Sequence, residues 1–314
     1  MPYIPERRPD QPGGEKQPKK AKQGKQRLLL IVLSCLLIAF GGCMLIRYYR
    51  EYRDSRNTSQ ELKQIYDETA APEETVLPAP SPAAETEAPA VETPSAETES
   101  AILPAVPYPD NPYQLISDRF RKLRKKSEYI VGWISMDDVE EAVAKKDNTY
   151  FLNHDATGKR NSNGAIFMDT DVNLRTRPYT VILYGHNMKS GNMFGRLRKY
   201  RNSSYLSAHR IITFDTMYEE GQYAVFAAME FSTLPGTSTW FDLWSLDTSS
   251  WEDRETAIRA LESRSIPASL LDVQADDQIL LLVTCLDGDD ERFVVAARRL
   301  RENETAESLD FRKQ

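Results

Sequence analysis

The sequence predicts a mainly β head, a barrel or a sandwich, between about residues 112 and 302. Short runs rich in β-branched and aromatic residues recur along this segment, and turn-forming residues separate them. Several runs alternate apolar and polar side chains, which is typical of strands with one buried face. Many short strands in one domain of this length favour a closed or double-layered sheet. The runs cover residues 129–136, 164–169, 179–185, 210–216, 222–232, 277–285 and 292–300.

Two helices interrupt this pattern. The first, over residues 113–127, precedes the first strand and carries apolar side chains at helical spacing. The second, over residues 249–265, lies between two late strands, and we expect Ser250 or Asp253 to cap its N-terminus. Its predicted buried face contains Ala257, Ile258 and Leu261.

An apolar segment near the N-terminus, residues 28–46, contains no charged side chain. At ~1.5 Å rise per residue its 19 residues span roughly 28 Å as a helix, close to the thickness of a bilayer core. A cleaved signal peptide has a shorter apolar region, and a buried helix of a soluble protein is the other alternative. We therefore predict a transmembrane anchor at 28–46 behind a basic tail at 1–27.

Charge predicts the orientation of this anchor. Lys and Arg are denser before the apolar segment than after it, so the positive-inside rule places the tail in the cytoplasm. The expected protein is thus a single-pass protein of the cell membrane with an extracellular head. Its net charge of −7 gives no support to nucleic-acid binding.

Residues 47–111 are predicted to form an extracellular stalk. The part at 47–66 is rich in charged residues and tyrosine and is able to continue the helix beyond the membrane. From about residue 70 the composition changes to Ala, Pro, Glu and Thr, without Lys or Arg before Arg119. Proline breaks helices and the acidic residues repel one another, which predicts a disordered, extended chain. Residues 303–314 follow the head as a C-terminal tail.

The cysteine pattern draws attention to one residue. Cys35 and Cys43 lie within the predicted anchor, so Cys285 is the one cysteine in the exported part of the sequence. A lone cysteine cannot form an intramolecular disulfide there. Cys285 is therefore either a small buried apolar residue or a thiol kept free for chemistry.

Three side chains with catalytic potential lie at predicted strand ends. Cys285 ends the most apolar run, Arg292 opens the next run after an acidic turn, and His186 follows the run at 179–185. A thiolate attacks an amide carbonyl, an imidazolium protonates the departing amine, and a guanidinium stabilises an oxyanion. These residue types together indicate acyl transfer, and neither a metal site nor a cofactor is predicted.

The segments YGHNMKSGNMFGRL (184–197), VTC (283–285) and ERFVVAARRL (291–300) resemble the three motif regions of the sortases, cysteine transpeptidases of Gram-positive cell surfaces. IVGWISM (130–136), DNTYFLNHD (147–155) and GAIFMD (164–169) resemble the class B branch. The resemblance implies a closed eight-stranded barrel with an N-terminal helix and a further helix between the sixth and seventh strands. Val283 stands where the family usually has a serine.

The resemblance also implies a mechanism. His186, Cys285 and Arg292 would be the catalytic residues. Cys285 would attack a threonine carbonyl in the C-terminal sorting signal of a secreted protein, giving a thioacyl enzyme. An amine of a peptidoglycan precursor or of a pilin would then accept the acyl group. Thr284 and Asn187 flank these residues, and we expect them to bind or orient the substrate.

Two other functions remain open from the sequence alone. A membrane-tethered adhesin or assembly scaffold could keep the same barrel without activity, since a fold does not prove a reaction. A thiol protease would use the same side chains with water as the acceptor. His154 is interpreted as a structural, hydrogen-bonded histidine, and His209, at the start of a predicted strand, as a surface residue.

Overall fold

The computed structural model describes residues 21–69, 108, 111–248, 250–286 and 290–309. Most of the predicted tail at 1–27, the proline-rich part of the predicted stalk and the last residues of the C-terminal tail lie outside the described residues. The chain divides into two compact units, residues 1–50 and residues 51–314.

The first unit contains most of a long helix, α1 (Ala21–Glu68). The apolar side chains of residues 28–46 are exposed along it. The mean hydropathy of its most apolar window is 2.8, and none of that window is buried within the protein. By length and composition this helix is able to cross a membrane, as expected for residues 28–46.

The second unit begins with the end of α1, which packs against the β domain. Ser55, Leu62 and Tyr66 follow one another at helical spacing and form one inward face. Leu62 is buried, and the Tyr66 ring stacks on Trp133 with 4.4 Å between ring centroids. Residues 51–68, which the sequence analysis placed in the stalk, are therefore part of the folded domain.

The described residues form eight strands that close into a barrel, which confirms the predicted fold class. They are β1 (Ile130–Met136), β2 (Val139–Ala144), β3 (Ile166–Met168), β4 (Thr180–Tyr184), β5 (Ile211–Thr216), β6 (Gln222–Ser232), β7 (Ile279–Cys285) and β8 (Glu291–Arg299). Their order around the barrel is β1-β2-β3-β4-β7-β8-β6-β5, and β5 pairs with β1 to close it. The pairs β2–β3 and β4–β7 are parallel, and the others are antiparallel.

β2 is the strand that the sequence runs did not include. Its sequence, VEEAVA, carries two adjacent carboxylates, which is unusual for a half-buried strand. The structure supplies a partner for each of them from α1: Lys63 pairs with Glu140, and the Ser59 hydroxyl donates to Glu141 at 2.7 Å. A tertiary contact thus compensates for a poor local strand signal.

Three further helices belong to this unit: α2 (Asp118–Lys126), α3 (Ser203–Ala208) and α4 (Trp251–Arg264). The helix expected over 113–127 is α2, which begins only after its N-cap, Ser117. The late helix is α4, between β6 and β7, and of its two candidate caps Ser250 accepts the hydrogen bond from the Asp253 backbone N–H.

The neighbouring strands β4 and β7 are buried on both faces. Leu183 and Leu282 belong to one apolar cluster, whereas Ile182 and Leu281 belong to another that includes Ile258 of α4. This double burial explains why the runs TVILY and ILLLV are continuously apolar, as in other parallel strand pairs. The strands that carry the candidate catalytic residues are therefore among the most rigidly held.

Candidate active site

The strand register brings the three predicted residues to one end of the barrel. β4 lies parallel to β7 with Tyr184 beside Val283, and the Gly185 N–H donates to the Val283 carbonyl at 3.1 Å. His186 therefore leaves β4 next to the last residue of β7, Cys285. In the antiparallel pair β7–β8, Cys285 lies directly opposite Arg292. Adjacent strands are about 4.8 Å apart, so all three residues surround one mouth of the barrel.

Cys285 is exposed at this mouth, although the residues that precede it are buried. The alternative of a small buried apolar residue does not fit this position. No disulfide engages the thiol. The sulfur is thus accessible to a peptide while rigid backbone holds its strand.

His186 is half-buried and oriented by a backbone group. Its Nε2 lies 2.7 Å from the carbonyl oxygen of Leu152, at the end of a 3₁₀ turn, Tyr150–Leu152. A carbonyl oxygen only accepts hydrogen bonds, so this geometry assigns the proton to Nε2. Nδ1 is then the ring nitrogen that remains for proton transfer.

Gly164 supports the histidine ring from behind. Its φ of +63° lies in the left-handed region, and a Cβ at this position would be 2.9 Å from His186 Cδ2. The same Cβ would be 2.5 Å from the Phe151 carbonyl oxygen. A side chain at this position would displace the imidazole, so glycine is required here. Sequence reasoning missed both Gly164 and Leu152. A glycine immediately before a predicted strand was the one feature of the sequence that could have indicated Gly164. The role of Leu152 has no sequence signal, because it depends on a backbone carbonyl group.

The loop that follows, residues 186–196, is called the His186 loop below. It folds back on itself, because the His186 carbonyl oxygen accepts hydrogen bonds from the N–H groups of Met188 and Phe194, each at 3.0 Å. A backbone bridge between Asn187 and Met193 closes it further. The structure thus places Asn187 immediately beside His186, half-buried at the same mouth.

Thr284, which was expected to bind or orient the substrate, lies in the interior beside the mouth. Its side chain is buried, and its hydroxyl donates to the Gly185 carbonyl oxygen at 2.7 Å. This contact joins the end of β7 to the residue before His186. The structure therefore gives Thr284 a positioning role between the thiol and the imidazole.

Arg292 is half-buried, and its Nη1 donates to the Glu291 carbonyl oxygen at 2.9 Å. Its positive charge also acts on Tyr184, the last residue of β4. Burial is the main cause that raises the pKa of the Tyr184 phenol, the Asp169 carboxylate adds to it, and Arg292 opposes it. The Tyr184 hydroxyl donates to Asp169 Oδ2 at 2.8 Å, so the phenol is a fixed, neutral wall of the site.

The other two histidines lie in structural contacts. His154 stacks on Tyr150 with 4.0 Å between ring centroids, and its Nδ1 lies 2.8 Å from the Tyr150 carbonyl oxygen. His209 stacks on Tyr205 and lies 3.1 Å from Asp137. Among the described residues there is no group of three or more His, Cys, Asp or Glu side chains arranged to hold a metal ion.

Comparison with known proteins places this geometry in a family. A family model described as the sortase domain matches residues 137–300. The chain is 30% identical over 175 residues to sortase B of Listeria monocytogenes, covering 54% of this chain and 68% of that protein. It is also 30% identical over 192 residues to sortase B of Staphylococcus aureus, covering 59% of this chain and 76% of the relative.

Solved structures agree with the sequence relatives. Sortase B from Bacillus anthracis, in complex with AAEK2, superposes with a TM-score of 0.59 at 25% identity, covering 80% of this chain and 98% of that chain. A Staphylococcus aureus sortase B–substrate complex gives a TM-score of 0.52 at 29% identity, covering 60% and 88%. With a matching domain model, two sortase B relatives and the same barrel, the chain belongs to the sortase family, in its class B branch.

Proposed function

We propose that this protein is a membrane-anchored cysteine transpeptidase. It cleaves the C-terminal sorting signal of secreted proteins and transfers them to an amine of the cell-wall precursor or of a pilin. The observation that carries the proposal is the strand register that sets the exposed Cys285 beside His186 and opposite Arg292.

In the first half of the reaction the Cys285 thiol gives its proton to His186, and the resulting thiolate attacks the threonine carbonyl carbon of the sorting signal. A C–S bond forms, and the carbonyl oxygen becomes an oxyanion that the Arg292 guanidinium stabilises. The C–N bond then breaks. The departing amine takes a proton from His186, and Nδ1 supplies it because Nε2 is held by Leu152. The products are a thioacyl enzyme and a free amine.

In the second half an acceptor amine attacks the thioester carbonyl. His186 takes a proton from the amine, a new C–N bond forms, and the C–S bond breaks to return Cys285. Water in place of the amine would give hydrolysis, which is the outcome expected of a thiol protease. Product analysis with and without an acceptor amine therefore separates the two activities.

The exposed apolar helix supports the proposal of an anchor at residues 28–46. The proposed orientation places residues 1–27 in the cytoplasm and the barrel outside, because Lys and Arg are denser before the apolar segment. Accessibility of the barrel to protease added to intact cells tests this orientation.

The nucleophile assignment is tested by substitution. Cys285→Ala is expected to abolish cleavage of Thr-containing sorting peptides, because no other side chain at the barrel mouth can form the thioester. The measurement is the rate of release of the C-terminal fragment. Cys35→Ala and Cys43→Ala serve as matched controls and are expected to cleave at the rate of the unmodified protein. Cleavage at that rate by Cys285→Ala would remove the thiol from the mechanism.

A further inference from the structure

His209, which follows α3, has a hydrogen-bond acceptor beside each of its ring nitrogens. Its Nδ1 lies 3.0 Å from the carbonyl oxygen of Tyr205, and its Nε2 lies 3.1 Å from Oδ1 of Asp137. A carbonyl oxygen and a carboxylate only accept hydrogen bonds. Both ring nitrogens must therefore carry a proton for both contacts to be hydrogen bonds, and an imidazole with two ring protons is a cation.

Asp137, in the turn between β1 and β2, joins this histidine to other elements of the barrel mouth. Its Oδ2 accepts hydrogen bonds from the Tyr205 hydroxyl at 2.7 Å and from Arg196 Nη1 at 3.1 Å. The Asp137 side chain is only 12% exposed. Burial raises the pKa of this carboxyl, but the Tyr205 hydroxyl and the neighbouring cations outweigh burial and lower the pKa below its usual value. Asp137 is therefore an ionised partner for His209.

Arg196 carries this contact into the His186 loop. Its side chain crosses the loop at Gly191, where a Cβ would lie 3.2 Å from Arg196 Nε. Two residues before Arg196, the Phe194 ring packs on Gly185, where a Cβ would lie 2.8 Å from Phe194 Cδ2. The Phe194 N–H donates to the His186 carbonyl oxygen at 3.0 Å. A shift of Arg196 is thus passed to His186 through a short, tightly packed length of chain.

Other cations compete with His209 for Asp137. Arg196 and Lys199 both face the other carboxylate oxygen, Oδ2, at 3.1 and 3.7 Å. Arg196 also pairs with Asp138 at 3.0 Å, so its charge is shared between two carboxylates. Coulomb energy falls with distance, so the carboxylate oxygen in direct contact with the imidazole outweighs these more distant cations.

The remaining titratable neighbours of His209 do not replace Asp137 as its charged partner. The Tyr205 ring stacks on the imidazole with 4.1 Å between ring centroids. The Tyr200 hydroxyl donates to the backbone carbonyl oxygen of His209 at 2.7 Å. Arg210 donates from Nη2 to a backbone carbonyl oxygen of the C-terminal segment at 3.2 Å. The charge of the imidazole is thus balanced mainly by one carboxylate.

We propose that His209 and Asp137 are positioning residues of the transpeptidase and hold the His186 loop in its active shape when His209 is protonated. The inference rests on the proposed transpeptidase function. Histidine ordinarily gains or loses its charge between pH 5 and pH 8. A neutral His209 keeps one ring proton, so it loses the hydrogen bond to Asp137 or the one to Tyr205. The contact is therefore complete in acid and is lost as the pH rises.

The kinetic test compares kcat for a Thr-containing sorting peptide in the full-length protein and in His209→Gln, at pH 5 and pH 8. Glutamine keeps an amide donor but carries no charge. The variant is expected to be about fivefold slower at pH 5 and equal to the unmodified protein at pH 8, with KM within about twofold at both values. The titration of His186 and Cys285 is common to both proteins, so it cancels in the ratio. His154→Gln is the matched control, and its ratio to the unmodified protein is expected not to change with pH.

A second substitution shows whether the effect depends on Asp137. Asp137→Asn keeps a side-chain oxygen that accepts hydrogen bonds but removes the charge. In this background His209→Gln is expected to change kcat at pH 5 by less than about twofold. Three results would overturn the assignment: a ratio for His209→Gln that does not change with pH, the full loss in the Asp137→Asn background, or a change in KM instead of kcat.

NMR of the full-length protein labelled with nitrogen-15 histidine gives a readout that needs no turnover. The chain has three histidines, so single His→Gln variants assign each signal. At pH 5 His209 is expected to have two protonated ring nitrogens, and in Asp137→Asn it is expected to lose the second proton at a lower pH. A single protonated nitrogen at pH 5, or the same titration in Asp137→Asn, would contradict the proposal. A failure of the transpeptidase proposal looks different, because the unmodified protein would then form no thioacyl enzyme with any donor.

Discussion

At the residue scale the site depends on how the imidazole of His186 is held. One nitrogen is fixed by the Leu152 carbonyl oxygen, and the ring edge lies against Gly164. Thr284 fixes the backbone before the histidine, so β7 and β4 cannot separate at the point where thiol and imidazole must meet. The reactive groups are therefore placed mainly by backbone contacts.

Gly164→Ala tests this arrangement. The new Cβ would clash with the His186 ring and the Phe151 carbonyl, so the imidazole is expected to move by a fraction of an ångström or more. Misplacement on that scale is expected to lower kcat about a hundredfold. The readout is the rate of sorting-peptide cleavage, with circular dichroism to show that the barrel is intact.

The matched control is Gly236→Ala. Gly236 also has a positive φ, +89°, but no atom lies within 4 Å of the position of its Cβ. It carries the backbone strain without the contact to the histidine. Equal losses of activity in the two variants would show that strain alone, and not the position of His186, limits the rate.

Residue types at strand ends made His186, Cys285 and Arg292 visible in the sequence, because short apolar runs predict where a strand stops. The supporting contacts were not visible. Leu152 acts through its carbonyl group, which every residue has. Thr284 was expected to bind or orient the substrate, but the sequence did not reveal that its hydroxyl is buried against Gly185.

At the element scale a buried arginine holds α4 to the barrel. Arg254 is fully buried, and burial lowers the pKa of its guanidinium to about 10. Its guanidinium donates hydrogen bonds to Thr180 Oγ1 and to the carbonyl oxygens of Tyr179, Leu246, Ala275 and Asp277. Arg254 therefore lies beside the starts of the neighbouring strands β4 and β7.

Arg254→Met is expected to lower the free energy of unfolding by about 3 kcal/mol, because several buried carbonyl groups lose their donor. Chemical denaturation of the full chain in detergent measures this loss. Arg259→Met, on the exposed face of the same helix, removes only a surface pair with Glu262 and is expected to leave the free energy of unfolding nearly unchanged. Similar losses in both variants would contradict the anchoring role of Arg254.

The contact between α1 and β2 is expected to depend on pH. Burial raises the pKa of Glu141 to about 7, and the Ser59 hydroxyl only partly offsets this. The raised pKa means that the folded state favours the protonated carboxyl. Its contribution to stability is therefore complete below about pH 4.5, the value of an exposed glutamate, and is lost as the pH rises through 7.

Unfolding measured at pH 4.5 and pH 8 tests this linkage. Relative to Glu141→Gln, the unmodified protein is expected to lose about 2 kcal/mol between the two values. Glu128→Gln, an exposed site, is the control and is expected to follow the unmodified protein. An identical pH dependence in Glu141→Gln would refute the assignment to this carboxyl.

The sequence predicted elements well where the pattern was local. Continuous apolar runs indicate that β4 and β7 are buried on both faces. Ser250 indicates where α4 begins. β2 was missed because its two glutamates obscure the strand pattern, and their partners lie on α1, far away in the chain.

At the scale of the whole molecule the connection between α1 and the barrel differs from the sequence-based expectation. A stalk between anchor and head was expected from residue 47 onward. Residues 51–68 instead pack on the barrel, with Leu62 buried and the Tyr66 hydroxyl bonded to Asp215. In the chain, the proline-rich stretch therefore lies between two elements of the same unit, the end of α1 and α2. Composition alone indicates how such a stretch behaves but not which folded parts it joins.

The central claim is that strand ends from one barrel build a thiol-based acyl-transfer site around Cys285. The most direct measurement is mass spectrometry of the full-length protein, quenched in acid during turnover of a small library of Thr-containing sorting peptides and then mapped by proteolysis. We predict an acyl adduct on the peptide fragment that contains Cys285, and none in Cys285→Ala. Cleavage of the sorting peptides without an adduct, or with an adduct on Cys35 or Cys43, would contradict the account.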